Sequence, residues 1–352
     1  MKLPTYKYFN LSLLSLLLTC SNLFSQSVAT DPVGYVTWTI NPGSGSARAF
    51  TSLSLPLYQH SQSINGIARG VLDSVTSDTI TVLNAGWSPS QLSNAATPYC
   101  FRITSGSAEG RTLLISTSTS NTDDTITIDL IASNIADLTA LNIASNDTFE
   151  IIECDTLDSL FGNPSESGII GAETFSDADN IYLLSNGSWS RFYYNNNLGR
   201  WTKLTLGSPD ATNQPILPDD GILYSRLAPT STELILTGTV PNTPRQLTVN
   251  QSGVTVVGST WPVDIELSNS GISQISEWKS SESPSTADRV YILVSGSWQR
   301  FYHDGLNWRK ITLGNPIADN QTIGSGSAIV LQKFSSSSSL EGVLFQDVPY
   351  SL

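Results

Sequence analysis

Ile181-Tyr-Leu-Leu-Ser-Asn-Gly-Ser-Trp-Ser-Arg-Phe-Tyr193 returns later in the same chain as Val290-Tyr-Ile-Leu-Val-Ser-Gly-Ser-Trp-Gln-Arg-Phe-Tyr302. Both segments alternate apolar and polar residues, break at a small-residue turn and alternate again, which is the pattern of a β-hairpin. Asn186-Gly187 and Ser295-Gly296 supply the residues that accept the positive φ of a tight turn. A second turn follows in each copy, at Asn195 to Gly199 and at Asp304-Gly305. It leads into Arg200-Trp-Thr-Lys-Leu-Thr-Leu-Gly207 and Asn307-Trp-Arg-Lys-Ile-Thr-Leu-Gly314. Each copy therefore reads as at least a three-stranded meander. Two segments that keep the same apolar and turn positions must solve the same packing problem, so the chain carries an internal repeat.

Working outward, short runs rich in Val, Ile, Thr, Tyr and Phe separated by Gly, Asn, Asp and Ser turns fill the chain, and long helical periodicity is absent. Only Asn134 to Leu141 reads as a helical turn, with Asp137 near its start. The fold class is all-β. The segment 66-156 offers strands around Gly70-Val75, Thr79-Leu83, Tyr99-Thr104, Arg111-Ser116, Thr125-Leu130 and Thr148-Glu153, a set that suits a small inserted β-barrel, closed or partly closed. A weaker likeness links Pro32-Val-Gly-Tyr-Val-Thr37 and Leu53-Ser-Leu-Pro-Leu57 to Pro244-Arg-Gln-Leu-Thr-Val249 and the Val256 to Val263 stretch. It suggests a discontinuous first β unit, residues 31-65 plus 157-240, and a second, related antiparallel β unit over 241-352, each sandwich-like or barrel-like.

The N-terminus predicts export. Lys2 and Lys7 precede an apolar run from Phe9 to Leu18 that is too short to span a membrane, and Ser25, Ser27 and Ala29 offer cleavage sites, so residues 1-27 read as a signal peptide. Leu17-Leu18-Thr19-Cys20 is the competing lipid-anchor reading, with Thr unusual before the cysteine. About 325 residues would remain, enough for two or three cores. No second apolar stretch reaches membrane length. The expected location is secreted, whether extracellular, at the cell surface or periplasmic. In an oxidising compartment Cys100 and Cys154 are either a disulfide or two buried thiols.

A formal net charge of -13 disfavours nucleic acid and anionic lipid as partners. Hydrolytic triads find little support: the two histidines, His60 and His303, lack metal spacing, and no nucleophile elbow precedes a helix. No cofactor is expected. Asp177-Ala-Asp179-Asn180 and Asp219-Asp220-Gly221 could touch a Ca²⁺ ion but read better as turn acids, so no metal site is assigned.

The candidate binding residues lie in the meanders. Alternation places Trp189, Arg191 and Tyr193 on one face, repeated by Trp298, Arg300 and Tyr302. Trp201 with Lys203 and Trp308 with Lys310 are assigned to that face, while Phe192, Leu204 and Leu206, or Phe301, Ile311 and Leu313, are assigned to the core. Such a face is either a structural layer of Arg and Lys stems on aromatic rings or a sugar-stacking platform.

Asp31-Pro-Val-Gly-Tyr-Val-Thr37 after a signal peptide, the Thr79-Ile-Thr-Val and Glu109-Gly-Arg111 strands, Ala140-Leu-Asn-Ile-Ala-Ser-Asn-Asp147 and the Gly-Ser-Trp repeats together resemble a family of secreted, β-rich bacterial proteins. The resemblance covers most of the chain after the signal and implies export and a shared fold, with no activity to carry over. Three functions remain in view: a non-enzymatic binding or structural component whose partner is a glycan or another surface protein, a carbohydrate-binding protein using the duplicated faces, and a carboxylate-based polysaccharide enzyme.

Overall fold

The computed structural model describes residues 32–59, 64–185, 187–334 and 342–351. The expected signal peptide with Cys20, and His60, Asn186 and residues Ser335 to Ser339, lie outside these. Val33 to Leu352 forms one compact unit. It is all-β, and among the described residues every strand ladder is antiparallel.

Two five-stranded sheets organise it. The first runs Arg200–Lys203, Ser188–Asn195, Asn180–Ser185, Ile222–Arg226 and Ala49–Leu53 in neighbour order. The second runs Trp308–Lys310, Ser297–His303, Arg289–Val294, Ala328–Lys333 and Gly253–Gly258, the same succession of a meander and two further strands. Each is accompanied by a two-stranded ribbon, Val33–Ile40 with Thr232–Thr239 in one case and Arg245–Val249 with Gly342–Gln346 in the other. The strands Val33–Ile40 and Ala49–Leu53 thus pair with segments that lie beyond the middle of the chain.

The Gly-Ser-Trp turns are tight. Ser185 pairs with Ser188, and Val294 pairs with Ser297 across Ser295 at φ 49 and Gly296 at φ 76. Two successive positive φ values make the twist of the turn match that of the flanking strands.

The first core gathers Trp38, Ile40, Leu53, Phe161, Ile181, Phe192, Trp201 and Tyr224, all buried. Phe161 ends a short helix, Leu157–Phe161, whose Thr156 and Ser159 satisfy each other's backbone N–H in a capping box. The second core, with Val249, Leu267, Val290, Phe301, Trp308 and Leu331, occupies the matching position in the second unit.

The middle segment forms two short sheets and not a fully closed barrel, which falls within the closed or partly closed barrel expected of it. Arg69–Val71, Thr148–Glu153, Tyr99–Ile103 and Thr112–Leu114 make a four-stranded sheet, and Ser74–Val75, Thr79–Thr81 and Thr125–Thr127 make a three-stranded one. They enclose a core of Leu72, Trp87, Phe101, Ile126 and Phe149 without closing into a barrel. On one side the Ile115–Ile128 bridge joins them, and on the other the chain runs on from Val71 to Ser74, with the Leu72 N–H donating to the Asp147 carbonyl and the Asp73 N–H to the Thr81 carbonyl. The helical turn is a 3₁₀ segment, Leu138–Leu141, with Asp137 capping the Thr139 N–H.

Tyr99–Ile103 is buried along its whole length because both of its faces are covered. Tyr99, Phe101 and Ile103 face the middle core, while Cys100 packs with Tyr58, Leu114, Ile152 and Leu217. Cys100 and Cys154 form a disulfide with a Cα–Cα distance of 5.7 Å, and Gln59 bridges Glu153, so the outgoing and returning strands of the middle segment run side by side.

Buried arginines tie the units together. Arg245 donates from Nε to Asp219 at 2.7 Å and from Nη1 to the Gly258 carbonyl at 2.6 Å. Arg111 donates to Thr248 and Gln246, and Arg102 donates to Thr243 while lying 4.3 Å from the Tyr58 ring centre.

Two outcomes follow from these joints. Replacing Cys100 and Cys154 by Ala frees a loop with a sequence separation of 54 and is expected to cost about 4 kcal/mol by chain-entropy reasoning. Urea unfolding measures it, and a loss below about 1 kcal/mol would show that the bond constrains little. The second concerns pH. Burial pushes Asp155 up to about 6 and Asp220 up to about 7. A carboxyl raised above its unfolded value binds protons preferentially in the folded state. Its stabilisation is complete below pH 4 and disappears as pH rises through 6 and 7. Burial lowers His303 and works in the opposite sense near the same range. Asp220→Asn should therefore flatten the rise in melting temperature between pH 8 and pH 5, and an unchanged profile would refute this assignment.

Candidate functional site

The outer face of the first sheet carries the strongest candidate. Tyr182 lies opposite Arg191, Leu184 opposite Trp189, Tyr182 also opposite Leu223, and Ser225 opposite Phe50. Cross-strand partners share a face, so Trp189, Tyr182, Arg191 and Phe50 line one surface drawn from chain segments far apart in sequence. Its rings form a connected run: Trp189 meets Tyr182 edge-on at 6.4 Å, and Tyr182 meets Phe50 and Phe175 at 6.2 Å each. The Arg191 guanidinium lies 5.9 Å from the Phe175 ring centre.

Trp189 is 44% exposed and its counterpart Trp298 38% exposed. Arg191 and Arg300 are exposed beside them. Tyr193 and Tyr302 share the face but are buried. Phe175 covers Tyr193 edge-on at 5.8 Å, and the Asn195 amide donates to the Tyr193 hydroxyl at 2.9 Å. In the second sheet Tyr291 lies opposite Arg300, and its hydroxyl donates to Gln332.

Trp201 and Trp308 do not belong to this face. The register pairs Tyr194 with Trp201 and Phe192 with Lys203, which places Trp201 on the core side. Its indole donates to the Gly162 carbonyl at 2.9 Å, and the ring stands edge-on to Tyr194 at 5.9 Å. Trp308 repeats the arrangement against His303 at 5.3 Å. Lys203 and Lys310 sit opposite Phe192 and Phe301 for the same reason. Leu204, Leu206 and Leu313, expected in the core, are exposed instead. The strand ends at Lys203, and the chain turns away through Gly207 at φ 82 and Gly314 at φ 80.

Other chemistry-bearing residues are engaged structurally. Asp179 accepts from Arg226 and from Tyr224, each at 2.7 Å, and both Asp179 and Arg226 are buried. Asp177 accepts from Thr174, Asp219 pairs with Arg245, and Asp220 accepts the Leu217 N–H. Hydrogen bonds from the Asn307 N–H and from Arg309 hold Asp304 down at about 2. Among the described residues no group of three or more His, Cys, Asp or Glu is placed to hold a metal ion. A cavity of about 170 Å³ between the first sheet and the middle segment is lined by Leu114, Leu183, Ser190, Lys203, Gln214 and Asp220. An open depression of about 430 Å³ on the second meander is lined by Glu282, Tyr302, Asp304, Leu306, Arg309 and Asn315.

Tyr182, Phe50 and Phe175 were not evident as site residues from the repeat. Tyr182 and Tyr291 stand at the same place in both copies, and the hairpin register alone sets each opposite an arginine, which is the signal that finds them. Phe50 has no such marker.

The two tryptophan classes should separate on mutation. Trp201→Ala empties a core site and is expected to cost about 3–5 kcal/mol, whereas Trp189→Ala should cost under about 1 kcal/mol. Denaturant unfolding of both variants tests this, and equal losses would overturn the division of faces. Compared with protein-family profiles and with curated proteins, the chain matches none.

Proposed function

We propose that the chain is an exported, non-enzymatic β protein that binds an extracellular or cell-surface partner through the outer faces of two sheets descended from one duplicated unit. The observation that carries this reading is the pairing of a half-exposed Trp with an exposed Arg and a cross-strand Tyr, at Trp189, Arg191 and Tyr182 and again at Trp298, Arg300 and Tyr291. Exposed aromatic rings beside unburied guanidinium groups offer apolar contact and directed hydrogen bonds together, which is how small numbers of residues make a recognition surface. A sugar ring matches that combination, since its CH face stacks on the ring and its hydroxyls meet the polar groups. A purely structural role is the second reading. The burial of Tyr193, Tyr302, Trp201 and Trp308 favours it.

Tryptophan fluorescence distinguishes the two. Of the 8 tryptophans, Trp38, Trp87, Trp201, Trp261, Trp278 and Trp308 are buried, so a soluble quencher reads Trp189 and Trp298. A glycan that binds these faces should shield both from acrylamide, and the double variant Trp189→Ala, Trp298→Ala should abolish the effect. If every member of a broad panel of glycans and surface proteins leaves the quenching unchanged, the structural reading takes its place.

A further inference from the structure

Charge is unevenly distributed on this acidic chain. Residues 180 to 209 contain Arg191, Arg200 and Lys203 and no carboxylate, and residues 289 to 318 contain Arg289, Arg300, Arg309 and Lys310 with Asp304 as the one carboxylate. Each meander is therefore a cationic island on a molecule of net charge -13.

Most of these cations are already engaged. Arg200 pairs with Asp210 at 3.4 Å, and Arg309 pairs with Asp304. Arg289 donates to the Pro284 carbonyl and lies 4.7 Å from the Phe334 ring centre. Lys203 and Lys310 sit on the core side. Arg191 and Arg300 differ: both are exposed on the outer face, Arg191 with its guanidinium 5.9 Å from the Phe175 ring centre, and among the described residues neither has a carboxylate within ion-pair distance. Each is two residues along its strand from a half-exposed Trp and directly opposite a Tyr.

We infer that the ligand of these faces is an acidic polysaccharide of the polyuronate type, with a sugar carboxylate on Arg191 or Arg300 and the sugar ring on Trp189 or Trp298. The inference rests on the binding reading given above and names its ligand class. A guanidinium presents parallel N–H donors whose spacing matches a carboxylate, and it is more weakly hydrated than a lysine ammonium, so an unpaired exposed Arg beside an aromatic face is suited to a planar anion. A single such Arg on each face matches a polymer with one carboxylate per ring. A polysulfate, with its higher charge density, would call for clustered cations. The acidic remainder of the chain opposes any polyanion, but at physiological ionic strength charges beyond about 8 Å are largely screened. The local pair of Arg and ring then decides the contact. Two such faces on one chain let a polymer engage twice, where geometry permits, and gain avidity.

The test is an acrylamide-quenching titration of the full chain after export, with polygalacturonate, a neutral dextran, dextran sulfate and polyglutamate as probes. Polygalacturonate should shield Trp189 and Trp298, and the effect should weaken with added salt. Arg191→Gln and Arg300→Gln should each lower affinity about tenfold, with thermal melting unchanged because both residues are exposed. Arg191→Lys should keep the salt dependence without restoring full affinity. Equal shielding by neutral dextran with no effect of either Arg→Gln variant would overturn the acidic ligand class while leaving the binding reading intact. Equal or tighter binding of dextran sulfate or polyglutamate would overturn uronate recognition in favour of bulk charge. Failure of all four probes to shield either tryptophan would overturn this inference. Loss of the binding reading itself would require the same failure across the broader panel of glycans and surface proteins.

Discussion

The ladder between Ala49–Leu53 and Ile222–Arg226 is the contact on which the rest of the first unit depends. It joins strands drawn from opposite sides of the entire middle segment, from Leu53 opposite Ile222 to Ala49 opposite Arg226. Loop-closure entropy grows only slowly with length, so a connection this long is tolerable provided its interior folds by itself. The middle segment has its own apolar core around Trp87, Phe101 and Phe149, which meets that condition. With the ladder formed, Phe50 is fixed opposite Ser225, and the outer face receives an aromatic residue that the meander cannot supply.

Polar joints then set the units against one another. A buried guanidinium loses its hydration and must be repaid by partners held in good geometry. Arg245 finds Asp219 and the Gly258 carbonyl, Arg111 finds Gln246 and Thr248, and Arg102 finds Thr243 and the face of Tyr58. Such contacts are directional where apolar packing is not, so they fix orientation as well as proximity. Asp220 sits in the same joint with its carboxyl raised, next to Asp219, which keeps the ion pair with Arg245.

Much of the architecture was legible in the residues. The Asn-Gly and Ser-Gly turns marked both hairpins, the alternation from Trp189 to Tyr193 gave the faces of one strand, and Asp137 marked the helical turn. What failed was phase across a loop. Alternation orders residues within a strand, but whether Trp201 joins the face of Trp189 depends on how many residues the Asn195 to Gly199 turn consumes, and a one-residue difference moves a whole strand to the other side. Leu204 and Leu206 were misplaced for a related reason, since the strand stops at Lys203 and period-two reasoning has no meaning beyond it. The inserted barrel was read from strand count alone, which does not say how far the ring of strands closes. Phe50 belongs to the site only through pairing with a distant strand.

The side-by-side arrangement of Gln59 and Glu153 has an evolutionary consequence. A segment that leaves and returns through a paired stem is a graft: beyond the stem, its host meets it at a few joints such as those of Arg102 and Arg111. Substitutions, length changes or wholesale exchange of the grafted part can accumulate without disturbing the strand register of the host sheet, so long as the contacts at the stem and at the arginine joints persist. In the second unit Gly253–Gly258 is followed closely by Ile265–Glu266, where the first unit has the graft between Ala49–Leu53 and Asp155–Thr156. It shows what a host of this kind looks like when nothing has been spliced into it.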